Sequence, residues 1–266
     1  MLSPQQTVSA QADTQAQYSV FIQPGCSSCL RTKEFLAQHG IPFRVVDVAN
    51  DPGGMAELQS FGVRHIPIVA RGSEYAYGQD IDDVARFVGV DLPRLRRLPP
   101  EVLIQRYDAV LAAAQSSVAQ LPDNALDEHP IPNRPGSIRG LAYHIFRIVQ
   151  SFLDAVEGKE PDWIVNSMQS PAASLATGKD IAAYGGSMRE ALARWWKART
   201  KPVTEDVVRT FQGEQSLHWF LERSAWHSAQ HARQIEDVLA RLGIEPHHKL
   251  SPEVLDGLPV PKRIWQ

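Results

Sequence analysis

Cys26-Ser-Ser-Cys29 sets two thiols three residues apart, and the chain holds no other cysteine. The pair follows an apolar strand-like run and opens a helix-like segment. A helix N-terminus lowers a thiol pKa through its dipole and free amides, so this position suits disulfide exchange. Cys26 at the helix mouth reads as the exposed attacker, and Cys29, one turn in, as the resolving thiol. Half of a zinc knuckle is the rival reading. It would need a second ligand pair nearby, for which only His39 and His65 are available. A second group of reactive side chains lies far along the chain. His227 and His231 are one helical turn apart and point the same way. With His144 they fall in largely apolar rows: Leu141, Ile148 and Phe152 in one segment, and Leu221, Ile235 and Val238 with Ser224 and Ser228 in another. A buried imidazole needs a polar partner. One shared cation satisfies three imidazoles more simply than three separate hydrogen bonds do.

The elements that must hold these groups differ between the two halves. The chain has 266 residues, 43% hydrophobic and 21% charged, with a formal net charge of -3. That is long enough for two modest cores, and it excludes a disordered acidic chain and a bulk polyanion binder. No apolar run reaches the roughly 18 residues of a membrane span. Residues 1–17 read as a flexible polar arm without the basic and apolar blocks of a secretory signal. Two cysteines so close together point to a reducing compartment, so a cytoplasmic location is expected.

From residue 18 the pattern runs strand, helix, strand, helix, strand, strand, helix, ending near residue 90. Tyr18-Ser-Val-Phe-Ile22, Phe43 to Val48, Ile66 to Ala70 and Tyr75 to Tyr77 are the expected strands. Gln23-Pro24-Gly25 and Gly40 are the breaks. This order makes a compact α/β domain over 18–90. Residues 91–99, with two prolines and three arginines and Pro100 directly after, form a stiff linker; the arginines are a weak phosphate signal beside a solvated or docking role.

After Pro100 strand signals nearly vanish. Helices are expected over 101–121, 137–157, 179–199 and 215–242, each with apolar residues three and four apart, so an all-α up-and-down four-helix bundle over 100–246 buries them best. Pro99-Pro100 suits a helix start, Ser137 an N-cap and Gly243 a helix stop. The connections 122–136 and 158–178 are long enough to shape a pocket. Residues 247–266 are left as a tail, with His247-His248 exposed in it. Glu222 and Asp154 are candidate acid–base or supporting carboxylates but read more simply as solvated helix residues. Gln234 either orients a ligand or packs. His129 is a loop histidine, Trp163 a candidate pocket wall, and Trp195-Trp196 and Trp219-Phe220 are packing pairs.

Gln23-Pro-Gly-Cys-Ser-Ser-Cys29, Gly40-Ile-Pro-Phe43, His65-Ile-Pro-Ile-Val69 and Gly78-Gln-Asp80 together resemble the glutaredoxins of the thioredoxin superfamily. The resemblance spans the whole first domain and implies a thioredoxin-like fold with the Cys26–Cys29 pair as its redox centre. It makes Pro67 a cis-proline facing the cysteines and the Ile66 backbone a pairing site for a bound thiol peptide. It also makes Gln79 and Asp80 residues of the thiol-cofactor site. Gln23 stands where glutaredoxins carry a lysine that meets the glutathione carboxylate. Tyr77-Gly78 replaces a glycine pair, and a tyrosine there is expected to take room beside the cysteines.

Ser137-Ile-Arg-Gly-Leu-Ala-Tyr-His144 and Trp226-His-Ser-Ala-Gln-His-Ala-Arg-Gln-Ile235 resemble the DinB-like metal-dependent bundles. That resemblance implies that His144, His227 and His231 bind a divalent metal: zinc foremost, nickel or iron as alternatives. Three imidazoles leave a coordination position open for water or substrate. Members of the family include thiol-dependent isomerases and S-transferases. The combination implies a thiol–disulfide oxidoreductase coupled to a metal-dependent thiol transferase or thiol-dependent small-molecule enzyme. Its partner is then a small-molecule thiol or thiol adduct such as glutathione, with no nucleic acid and no membrane; a homodimer is compatible with it. Two alternatives stay open. The bundle is a non-catalytic docking module for a dithiol reductase, or the cysteines pass a metal or metalloid ion to the histidines.

Overall fold

The computed structural model describes residues 18–92, 97–132 and 135–266. The expected arm 1–17 and the middle of the linker, 93–96, lie outside the described residues. The chain divides into two compact units, Met1–Leu95 with Pro261–Gln266, and Arg96–Val260.

In the first unit the elements are β1 (Tyr18–Ile22), α1 (Ser27–Gln38), β2 (Phe43–Asp47), α2 (Gly54–Ser60), β3 (Ile68–Arg71), β4 (Glu74–Tyr77) and α3 (Ile81–Val88). The sheet order is β2-β1-β3-β4. β1 runs parallel to β2, with Tyr18 opposite Phe43 and Ile22 opposite Asp47, and antiparallel to β3. An interior strand covered on both faces needs apolar residues at successive positions, and Val20, Phe21 and Ile22 are all buried. Because side chains alternate across a strand, β1 feeds two cores. Tyr18, Val20 and Ile22 pack with Cys29, Leu36 and Val84 from α1 and α3. Phe21 packs with Val46, Leu58, Val63 and Ile68, so α2 covers the other face. Helix α3 is stopped at both ends: the Asp80 carboxylate accepts the Asp82 N–H at 2.9 Å, and Gly89 takes a positive φ of 74°.

The tail expected from 247 onward is divided between the units. Residues up to Val260 belong with the second unit, while Pro261–Gln266 belong with the first. There the Glu34 carboxylate on α1 accepts the backbone N–H groups of Lys262 at 2.7 Å and Arg263 at 2.9 Å. One carboxylate whose two oxygens each accept an amide is a charge-assisted anchor for extended chain. Burial, with Arg263 adding its charge, lowers the Lys33 pKa beside this anchor.

The second unit is built on α4 (Pro100–Ala119), α5 (Ile138–Val156), α7 (Gly178–Lys197) and α8 (Leu217–Arg241). Each of α4 and α5 packs against both α7 and α8, which closes the four apolar stripes around one core containing Tyr107, Phe146, Phe152 and Trp226. The helix starts are capped as their sequences require. Ser137 accepts the Gly140 N–H at 3.1 Å, and Thr177 and Asp180 form a reciprocal capping box. Gly185 sits where α7 meets α5; a Cβ there would lie 2.6 Å from the Phe146 ring. Among the described residues no helix is long and apolar enough to cross a membrane.

Three short elements lie in stretches read from sequence as connection or helix. The connection 158–178 contains α6 (Trp163–Ser167). Ahead of α8, β5 (Val207–Thr210) and β6 (Gly213–Ser216) form an antiparallel hairpin, so the fourth long helix begins at Leu217 rather than at Gln215. The hairpin has a local cause: Val208 and Thr210 are buried while Val207 and Arg209 are exposed, and Gly213 at φ 88° makes the turn. A last short helix, α9 (Pro252–Leu255), packs on α4.

Candidate functional site

Cys26 is the N-cap of α1, and its Sγ accepts the Cys29 N–H at 3.1 Å. The two cysteines are joined in a disulfide with Cα atoms 5.2 Å apart. Cys29 is fully buried in the core cluster that Cys26 only borders, so Cys26 is the less buried of the two. The Cys29 amide is thus a donor aimed at Cys26 Sγ, the kind of contact a sulfur anion accepts.

The Ile66–Pro67 peptide bond is cis. Ile66 packs against the cluster containing Cys29 and bordered by Cys26. Gln79 is turned inward, 1% exposed, and donates from Nε2 to the Ile66 carbonyl at 2.6 Å. Asp80 is engaged as the α3 N-cap. Both residues thus brace the Pro67 segment and the helix behind it. Tyr77 does not crowd the cysteines as its sequence position suggests. It packs on the opposite sheet face with the cluster around Phe21 and Leu58, against Tyr75. Burial pushes its phenol up to about 12. Alternation along β4 explains this, because Tyr75 and Tyr77 share one face.

Gly78 is the residue that lies against the proline. A Cβ there would sit 2.6 Å from Thr32 Oγ1 and 2.7 Å from Pro67 Cγ. Thr32 Oγ1 donates to the Gly78 carbonyl at 3.0 Å. Gly78→Ala is therefore expected to destabilise the first unit by about 1–3 kcal/mol through overpacking. Urea titration followed by a first-unit probe reads the change, and an unshifted midpoint would show that Pro67 and Thr32 yield without cost.

In the second unit, His144 from α5 and His227 and His231 from α8 meet. One nitrogen from each lies within 4.8 Å of the other two. The Nε2 atoms of His227 and His231 are 3.1 Å apart. His144 Nδ1 is 2.8 Å from the Ser167 carbonyl, which only accepts, so this nitrogen carries the hydrogen and Nε2 presents its lone pair. His231 Nδ1 meets Gln234 Oε1 at 2.8 Å, which assigns the same tautomer. Among the described residues, the buried His227 Nδ1 has no hydrogen-bond partner. Desolvation holds the His227 pKa well below the usual imidazole range, with the charge of Arg223 and the neighbouring His231 and His144 adding to it. His227 and His231 are buried and His144 is half-buried, with two of the ring nitrogens nearly touching. Two ligands each about 2.0–2.1 Å from one tetrahedral ion stand about 3.3 Å apart. The donor set and its supporting bonds to a carbonyl and an amide fit a divalent metal held by nitrogen.

Comparison with known proteins agrees with both units. The glutaredoxin family model matches residues 18–75, and the DinB superfamily model matches residues 106–235. The chain joins a glutaredoxin domain to a DinB-superfamily domain. The curated proteins include N-acetyl-S-hydroxy-L-cysteine reductase of Bacillus subtilis (strain 168), 39% identical over 59 residues. That match takes in 21% of this chain and 63% of the relative, so the chain spans somewhat under two thirds of the relative's length.

Within the DinB domain the remaining candidates have other work. Glu222 binds Arg97 at 3.2 Å. Asp154 accepts from Asn166 Nδ2 at 2.9 Å and from Gln150 Nε2 at 2.8 Å. Among the described residues, no carboxylate joins the histidine group. His129 Nδ1 is 2.8 Å from the Gly136 carbonyl, and His247 and His248 are exposed. Trp163 is 1% exposed, with the buried Arg223 guanidinium carbon 3.6 Å from its ring centroid. It is a core residue carrying a cation–π contact rather than an open wall. Sequence reasoning missed Arg147, Asn166 and Ser167, which stand beside His144. A polar run Asn166-Ser167 inside the long second connection was the available signal.

Proposed function

We propose that the glutaredoxin domain reduces a small oxidised thiol and that the DinB domain holds a divalent metal, zinc foremost, for thiol chemistry on the same chain. The observation that carries the first half is the Cys26 sulfur at the mouth of α1, with a backbone amide already on it and a buried Cys29 one turn behind. The Bacillus relative is named for reducing N-acetyl-S-hydroxy-L-cysteine, which supports an N-acylated cysteine oxidised at sulfur as the substrate class.

The Cys26 thiolate attacks the oxidised sulfur of the substrate. From an S-hydroxy compound it displaces hydroxide, which takes a proton to become water; from a disulfide it displaces a thiolate. The Cys29 thiolate then attacks Cys26 Sγ, releases the substrate as its thiol, and leaves the Cys26–Cys29 disulfide. Two electrons pass from the dithiol to the substrate, and an external dithiol reductant returns the pair to its starting state.

In the DinB domain, His144, His227 and His231 would hold the metal. A zinc ion so bound supplies Lewis acidity and favours the thiolate form of a ligating thiol. The chain's own residues keep His144 and His231 in the tautomer that leaves Nε2 bare. The bundle buries the site and so strengthens electrostatic contacts made there. Joining the domains in one chain keeps a dithiol and a thiol-handling site at high effective concentration.

The test uses the full chain with a dithiol recycling system, the mixed disulfide of N-acetylcysteine as substrate, and elemental analysis of the purified protein. Release of N-acetylcysteine over many turnovers, with about one zinc per chain, is expected. No turnover would remove the reductase reading, and protein lacking divalent metal after purification and zinc dialysis would remove the metal reading.

A further inference from the structure

Four residues of α5 form a polar row at helical spacing: His144, Arg147, Ser151 and Asp154. Each grips the connection that contains α6. His144 Nδ1 donates to the Ser167 carbonyl at 2.8 Å. Arg147 Nε donates to the Asn166 carbonyl at 3.0 Å, and its Nη2 donates to the Asn166 side-chain oxygen and to Gln169 Oε1. Ser151 Oγ donates to the Trp163 carbonyl at 2.6 Å. Asp154 accepts from Asn166 Nδ2 at 2.9 Å. The amide of buried Asn166 is therefore held from both ends, by a cation on one side and a carboxylate on the other.

Ser167 follows Asn166 directly, and its carbonyl fixes which nitrogen of His144 faces the other two imidazoles. A short helix of five residues has little stability of its own, so the position of that carbonyl depends on what pins the segment. We infer that Arg147 is a positioning residue for His144. Through its fork on Asn166 and Gln169, it holds the Ser167 carbonyl where it orients the imidazole for metal. The planar guanidinium reaches three acceptors at once, which a lysine ammonium on a flexible stem does not reproduce. This inference rests on the metal reading above and adds to it a part of the chain that supplies no ligand itself.

The experiment compares Arg147→Ala, Arg147→Lys and Asn166→Ala with wild type, and uses Arg189→Ala as a control. Arg189 makes a similar fork to Asp108 and Gln115 within the same domain but serves no histidine. Co²⁺ affinity is measured on full-length protein by competition with a chromophoric chelator. The ring N–H of His144 is followed by nitrogen-edited NMR in metal-free protein, assigned with His144→Ala.

Arg147→Ala and Asn166→Ala are each expected to weaken Co²⁺ binding by about 10–100-fold, the usual range for losing such outer support. The slowly exchanging His144 N–H signal should disappear in both, with Arg147→Lys intermediate and Arg189→Ala at wild-type values. Wild-type affinity and an intact N–H signal in Arg147→Ala would overturn the inference, as would equal losses in Arg189→Ala. Wild-type protein that binds no Co²⁺ while showing the His144 N–H signal would overturn the metal reading, and with it any positioning for metal.

Discussion

Cys26→Ser is expected to lose reduction of small oxidised thiols by about a thousandfold or more, because a serine hydroxyl supplies no comparable nucleophile at neutral pH. Cys29→Ser should instead stall part-way. Cys26 lies half-buried at the helix mouth while Cys29 is fully buried. The outside reagent therefore meets Cys26, and only the second step needs Cys29. Incubated with the mixed disulfide of N-acetylcysteine, Cys29→Ser should gain the mass of one N-acetylcysteine on Cys26, whereas Cys26→Ser gains nothing. The serine at 29 retains its backbone N–H, so the contact that favours the Cys26 thiolate survives in that variant. An adduct on Cys29 in Cys26→Ser, formed at the wild-type rate, would reverse the assignment of attacker and resolver.

His231→Ala is expected to reduce divalent metal affinity by about a thousandfold or more, the consequence of losing one of three ligands from a site whose folding and binding are coupled. His231 is the best-supported of the three. It is 3% exposed, 3.1 Å from His227 through Nε2, and braced by Gln234 through Nδ1. Removing its ring leaves only His144 and His227, two imidazoles where the ion needs three. Added zinc should raise the melting temperature of wild type, because a ligand that binds only the folded state stabilises it. It should leave that of His231→Ala unchanged. His129→Ala, a loop variant in the same domain, serves as the control and should respond as wild type does. Zinc-dependent stabilisation of equal size in His231→Ala would show that the three rings do not share an ion.

Most of the redox domain is legible from local pattern. Tyr18-Ser-Val-Phe-Ile22 announces a strand, the CxxC at a strand–helix junction announces its chemistry, and Gly40 stops the first helix where positive φ is needed. The four long helices are equally plain, since Pro99-Pro100, Ser137, Gly243 and apolar residues three and four apart mark them. The hairpin Val207–Ser216 was hidden because its four-residue strands are too short for period-two alternation to stand out beside a strong helix that follows at once. Tyr77 was misplaced for a different reason. Its sequence neighbour Gly78 touches Pro67, and only the strand register assigns the tyrosine to the far face.

Local spacing along the chain is enough to pick out the residues fit for chemistry and the elements that carry them: a thiol pair at a helix mouth, two histidines a turn apart, and a third in an apolar row. Those features are local, set by spacings of three and four residues along one helix. Packing of the folded bundle is what brings nitrogens of His144 and His227, 83 positions apart, within 4.8 Å, with Ser167 behind the His144 ring and Gln234 behind that of His231. Tertiary structure also decided that Glu34 holds the last residues of the chain. Contacts between distant segments follow from how apolar faces pack together, and no periodicity along one segment encodes which acceptor will stand across that packing.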